Sequence, residues 1–292
     1  MRRTRKRQRT QIIAASIVLM ILVIGGVTAA AVSFGSKANE KINHTEPATE
    51  SQSISTSSAE VTEAFNPDYS SNVPVEIQKF AHINGLSTDL WSDEIIELLK
   101  KNPETEEFVL NYPLLKDEEF KIDISDSVNN DSVPHFLQWD TRWGYAPYGD
   151  DIIANAGCGP TCLSMVYVYL TGDTSMNPKA MAEFSTEYGY CVPGNGSSWS
   201  LIYEGGEYLG LDVWELPLVE DYIIENLQNG NPVICVMGPG DFTDGGHFIV
   251  MTDYIDGQIK INDPNSVIRT NKLWNYSDIE DQIENLWACS TY

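Results

Sequence analysis

The distribution of apolar residues divides the chain into unlike parts. Ile12 to Phe34 runs IIAASIVLMILVIGGVTAAAVSF without one charged side chain. In a helix those twenty-three positions reach about 34 Å, enough to cross the hydrocarbon core of a bilayer. Residues 35–72 then lose nearly all large apolar side chains, as in TEPATESQSISTSSAEVTEAFNPDYSS. Such a segment cannot bury enough surface to offset its ordering entropy, which predicts a disordered Ser/Thr-rich stalk.

Helical periodicity appears in residues 73–130. Ile95, Leu98 and Leu99 fall on one face of a helix that Ser92 can cap, with Asp93 and Glu94 in its first turn. Pro103 predicts its end. TEEFVLNYPLL reads as a second short amphipathic helix, ended near Pro113. Together they predict a helical prefix, packed on the main domain and carrying no obvious chemistry.

From 131 to 292 the pattern is that of a compact domain. NPVICVMG predicts a buried strand, GHFIVMTDYID a second, and GQIKINDP a third after a turn at Asp256-Gly257. TCLSMVYVYL predicts an apolar helix, and MNPKAMAEFSTEYG another that closes at Gly189. A helical half followed by an antiparallel strand half is an α+β arrangement, and no internal repeat is visible.

Charge sharpens the picture at the N-terminus. Residues 1–11 hold six of the eighteen Lys and Arg and no acid, so the remainder balances twelve basic residues against forty-two acidic ones, or −30. A body so acidic is excluded as a nucleic-acid binder, because the phosphate backbone rewards Lys and Arg. The basic tail beside the apolar segment predicts a cytoplasmic N-terminus, one membrane span at 12–34, and an extracellular body on a bacterial cell membrane. The alternative is a signal peptide cleaved near Ala29-Ala30-Ala31, which gives a secreted protein.

The candidate chemistry lies in NAGCGPTCLSMVYVYL. Cys158 stands between Gly157 and Gly159, with Pro160 suited to a first helical turn. A sulfur at a helix N-terminus is favoured as thiolate, and the bare backbone of Gly157 lets a substrate carbonyl approach. Of four histidines, His247 follows Gly245-Gly246 at the head of an apolar strand, where Gly246 leaves room for a substrate; the competing role is a His that only caps the strand. A hairpin about Asp256-Gly257 brings Asp263, sixteen residues on, beside His247, although Asp-Pro is also a common turn signal. Gln138, a polar residue in an apolar and aromatic stretch, is an oxyanion-hole candidate or an ordinary surface residue. Trp199, in GNGSSWSLIYEGG, is the tryptophan expected to line a cleft; the others are expected in the core.

Cys158 and Cys162 with His247 make a poor zinc set, since Cys-x₃-Cys is not the usual knuckle and no second close pair exists, so no metal or cofactor is expected. Disulfides are compatible with an exported domain, Cys162 with Cys191 being the favoured pair and free thiols the alternative.

The order of VPHFLQWDTRWG, GCGPTCLSMV, DGGHFIVM and INDPNS resembles papain-like cysteine peptidases, and more narrowly the bacteriocin-processing, double-glycine-leader peptidases and their extracytoplasmic relatives. The resemblance covers roughly residues 131–290. It implies a papain-like fold with a Cys158 nucleophile, a His247 base, an orienting Asp263 and an oxyanion Gln138, cleaving peptide or isopeptide bonds through a thioester. One departure is that twenty residues separate Gln138 from Cys158, where the leader peptidases have only a few, so the intervening segment must loop out and return. Expected substrates are peptides, exported proteins or cell-wall stem peptides. The rival function is a non-catalytic peptide or cell-wall binding module on the same scaffold.

Overall fold

The computed structural model describes residues 64–128 and 131–291. The expected basic tail, the apolar segment 12–34 and the stalk up to residue 63 lie outside the described residues. Among the described residues no helix is long and apolar enough to cross a membrane. The described residues belong to one compact unit.

The prefix consists of α1 (Val75–Asn84), α2 (Asp93–Lys101) and α3 (Glu106–Leu115). Asp68 and Gln78 exchange hydrogen bonds of 2.8 and 2.9 Å, so the turn before α1 already packs on it. Ile95, Ile96, Leu98 and Leu99 bury the apolar face of α2, as its periodicity predicts. The helix expected to end near Pro113 ends at Leu115, with Pro113 inside its last turn. Proline there removes the N–H that would bond the carbonyl of Val109. Trp91 supplies it instead, its Nε1–H donating to Val109 O at 2.6 Å.

The main domain opens with a small hairpin, β1 (Pro147–Tyr148) and β2 (Asp151–Ile152), and a single helical turn, α4 (Ile153–Ala156). The central helix α5 (Cys158–Thr171) and α6 (Pro178–Glu187) follow. Asn177 caps α6 through Lys179 N and Ala180 N, and Gly189 turns the chain beyond its end at φ 78°. After the hairpin of β3 (Cys191–Val192) and β4 (Gly196–Ser197) comes a π-turn, Leu201–Gly205, leading into α7 (Gly206–Tyr208). The remaining elements are β5 (Leu211–Glu215), α8 (Glu220–Gln228), β6 (Val233–Met237), β7 (His247–Ile255), β8 (Gln258–Asn262), α9 (Val267–Thr270), β9 (Leu273–Trp274), α10 (Tyr276–Ile279) and β10 (Ile283–Thr291). Six strands pair antiparallel in the order β5-β10-β6-β7-β8-β9.

The sheet is buried on both faces. Ile234, Val236, Phe248 and Val250 pack against α5 and α6, while Val233, Cys235, Ile249 and Met251 pack against α8 and the C-terminal turns. Side chains alternate across a strand, so burial on both sides requires the unbroken apolar runs seen in β6 and β7. Mixed helices on an antiparallel sheet agree with the α+β expectation.

All five cysteines are free. The favoured Cys162–Cys191 bridge is therefore corrected. Cys162 points from α5 into the core near Cys158, Asp263 and Cys235, whereas Cys191 lies by Tyr148 and Thr186.

Candidate active site

Two local devices bring distant residues together. The first is the start of α5. Gly157 precedes Cys158 with φ −91° and ψ 18°, and Cys158 is the first residue of the helix. A Cβ on Gly157 would come within 2.6 Å of Ile153 Cγ2 and O. Its missing side chain thus lets α4 abut α5, and Gly157 lines neither cavity described below. Gly159 has a similar reason, since a Cβ there would meet Ser197 Oγ at 2.6 Å.

The second device is the β7–β8 hairpin. Asp256 and Gly257 sit at φ 52° and 86°, a two-residue turn that pairs Ile255 with Gln258. From there the ladder runs back to Val250 opposite Asn262. His247 and Asp263, just beyond, meet with His247 Nε2–H donating to Asp263 Oδ1 at 2.9 Å. The same imidazole acts on the Cys158 thiol and lowers it, and with Nε2 on Asp263, Nδ1 is the nitrogen left to face the sulfur.

Electrostatics reinforce this row. Burial alone would push the Cys158 thiol up, but the hydrogen bond and charge of His247, with the backbone N–H groups of Phe248 and Gly159, pull it below the usual range. Burial opposes a charged His247, yet the Asp263 carboxylate and the Cys158 sulfur raise it to about 10. Asp263 is wholly buried, which disfavours its charge, but His247 and Arg269 hold it low. The combination favours a thiolate–imidazolium pair at neutral pH.

Gln138 is 3% exposed. Its Nε2 donates to Ala154 O at 2.6 Å, and its backbone N–H donates to Pro264 O at 2.7 Å. The segment between Gln138 and Cys158 does loop out and return, through β1, β2 and α4. One Nε2 proton is committed to Ala154 and one is left; Oε1 is buried without a hydrogen-bond partner.

Two cavities flank Asn155. One of about 340 Å³ is lined by Cys158, Gly194, Gly196 and Gly246, and a Cβ on Gly246 would meet nothing within 4 Å. The other, about 690 Å³, runs past Gln138 between α2 of the prefix and residues 240–245, with Arg269 on its wall. Asp151 and Asn155 line both. Trp199, expected in the cleft, instead stands 43% exposed with its ring edge-on to Trp287, and lines neither cavity.

A family model described as the Peptidase_C39 like family matches residues 130–291. The chain belongs to that family. The C39-like match takes in Gln138, Cys158, His247 and Asp263 and ends at the last strand; the prefix falls outside it. Among crystal structures, the peptidase domain of Streptococcus ComA, a bi-functional ABC transporter of a quorum-sensing pathway, is 17% identical over 47% of this chain and 93% of that one, with a TM-score of 0.38. A C39-like peptidase from Bacillus anthracis is also 17% identical, over 60% of this chain and 99% of that one, with a TM-score of 0.39. At this identity nothing about substrate passes from either protein to this chain. No curated protein matches.

Sequence reasoning missed Arg269, whose Nε reaches Asp263 Oδ2 at 2.5 Å. The available signal was an arginine six residues after the candidate carboxylate, in a body with few basic residues. Also missed was His135, whose ring Nε2 lies 2.7 Å from Asp263 O. Among the described residues, no group of three or more His, Cys, Asp or Glu is arranged to hold a metal ion.

Proposed function

We propose that the chain is an extracytoplasmic thiol hydrolase of papain-like fold, cleaving peptide or isopeptide bonds. The observation that carries it is the His247–Asp263 hydrogen bond of 2.9 Å, with the same imidazole holding the Cys158 thiol low beside the cavity that Cys158 lines. Membership of a peptidase family and the charge-free segment 12–34 behind a basic tail support the class and the location.

The Cys158 thiolate attacks the scissile carbonyl carbon. The carbonyl oxygen takes up negative charge, stabilised by the Cys158 backbone N–H at the helix start and by the remaining Nε2 proton of Gln138. His247 passes its Nδ1 proton to the leaving amine as the C–N bond breaks, leaving a thioester on Cys158. Water then donates a proton to His247 as it attacks the thioester, and the acid product departs with the thiolate restored. Asp263 holds the tautomer that turns Nδ1 to the sulfur and stabilises the imidazolium. Gly246 gives the backbone of a peptide room beside the sulfur. Substrates on this reading are peptides, exported proteins or cell-wall peptides.

The test is alkylation of the folded protein with iodoacetamide, mapped by mass spectrometry. Selective, fast modification of Cys158 among the five cysteines, lost in His247→Ala, is expected. An unreactive Cys158 would sink the enzyme reading and favour a peptide-binding module on the same scaffold.

A further inference from the structure

The carboxylate behind His247 is held by a short segment that residues outside the family match brace in turn. Asp263 Oδ1 accepts from Asn265 N at 2.7 Å as well as from His247, and Oδ2 accepts from Arg269 Nε. Both added donors belong to the turn 264–266 and to α9, a helix of four residues. A single turn of helix is not stable by itself, because nucleation fixes several residues for one hydrogen bond. Something outside it has to keep Arg269 and Asn265 in place.

The prefix does this. Glu104 accepts Ser266 Oγ–H with Oε1, and Val267 N at 2.8 Å and Ile268 N at 3.1 Å with Oε2. Its charge thereby satisfies two N–H groups of the first turn of α9, which have no intrahelical acceptor. Ser266 Oγ in turn accepts Arg269 N at 3.0 Å. Asn102 Nδ2 donates to Asn265 O at 2.7 Å and to Asn265 Oδ1 at 3.0 Å, and Asn102 Oδ1 accepts Glu104 N at 3.1 Å, tying the two prefix residues together. These contacts span more than 160 residues of sequence, and the prefix lies before residue 130, where the family match begins.

We propose that Glu104 and Asn102 are positioning residues of the active centre, so that the helical prefix completes the catalytic apparatus. The inference rests on Cys158, His247 and Asp263 acting together as described above. It gives the prefix the opposite role to a removable covering segment. Its contacts brace the turn behind the catalytic carboxylate, and the larger cavity that α2 walls is not the one that Cys158 lines. When Glu104 or Asn102 is lost, α9 frays and Arg269 and Asn265 leave the carboxylate. Asp263 then turns from His247, the imidazolium loses its counter-charge, and less of Cys158 is thiolate.

The test uses the whole chain with Glu104→Gln, which keeps the shape, and Asn102→Ala, which changes no charge. Iodoacetamide alkylation of Cys158 is followed across pH, with thermal unfolding as a control of folding. Each variant is expected to unfold cooperatively, to react about tenfold more slowly at neutral pH, and to shift the acid limb of the profile upward, since small displacements of catalytic groups are costly. Wild-type rates and pH profiles in the folded variants overturn the proposal. Faster alkylation overturns it in favour of a covering segment, and failure of both variants to fold overturns it in favour of a purely structural prefix. The wild-type protein reports separately: a slow Cys158 indifferent to His247→Ala defeats the peptidase reading, whatever Glu104 does.

Discussion

Arg269 and His247 grip opposite oxygens of one buried carboxylate, Asp263, with Arg269 Nε on Oδ2 and His247 Nε2 on Oδ1. The arginine therefore fixes the plane of the carboxylate without competing for the oxygen that orients the imidazole. Arg269→Gln should destabilise the fold by about 2 kcal/mol in urea denaturation at neutral pH, the scale of a charge-assisted hydrogen bond on a buried acceptor. Asp263 titrates below its ordinary value, so the stability it contributes is present above the unfolded value of 3.8 and is lost as pH falls through the folded one. The gap between wild type and Arg269→Gln should close over that acid range; a gap constant with pH would show that the charge pairing is not its source.

His247→Ala should unmask the effect of burial on Cys158. In the wild type the thiol titrates below its ordinary 9.0 although burial pushes it up, and the imidazole is the main group that holds it low. Alkylation at neutral pH should fall by about 10²-fold or more, the scale of losing a positioned base. His247 itself is raised from 6.5 to about 10, so its contribution to stability is full below pH 6.5 and fades as pH climbs through about 10. Denaturation of wild type and variant at a series of pH values checks that sign.

Gln138 separates oxyanion stabilisation from thiol activation. Gln138→Ala should cut peptide turnover by about 10²–10³-fold. Iodoacetamide forms no oxyanion, so alkylation of Cys158 should change far less. Equal losses in both assays would assign Gln138 to holding Ala154, not to the reaction.

Two glycines should respond in opposite ways. Gly157→Ala must move Ile153, whose backbone oxygen would lie 2.6 Å from the new methyl, so soluble yield and melting temperature should drop. Gly246→Ala meets open space and should fold normally, with peptide cleavage impaired more than iodoacetamide alkylation.

Trp91 and Pro113 form a coupled pair in the prefix. Trp91→Phe strands the carbonyl of Val109 and should cost about 1–3 kcal/mol. Adding Pro113→Ala restores a backbone N–H for the same carbonyl and should recover part of that loss. A strictly additive double-variant cycle would refute the exchange.

What could be read in the sequence was local. The hairpin at Asp256-Gly257 requires two left-handed residues, and that short-range rule is enough to carry Asp263 back to His247. The start of α5 follows from Gly157, Gly159 and Pro160 in the same way. What escaped was set by partners far along the chain. Pro113 reads as a stop unless Trp91 is known to feed Val109, and Glu104 reads as a surface acid unless Ser266 and Val267 are known to stand above it. Trp199 has the surroundings of a ligand loop in sequence, yet its ring lies against Trp287. The apolar face of α2 was legible; the attachment of the prefix to the turn behind Asp263 was not.

The five unpaired sulfurs have unequal chemical fates. Burial pushes Cys162, Cys235 and Cys289 well above their ordinary range, and Cys191 is raised as well, so all four stay protonated and inert. Cys158 alone is shifted toward thiolate. Hydrogen peroxide in the surroundings is therefore expected to act first on Cys158, with a sulfenic acid as the product to look for by mass spectrometry. On that expectation oxidation removes reactivity before it touches the fold, since none of the five cysteines is paired.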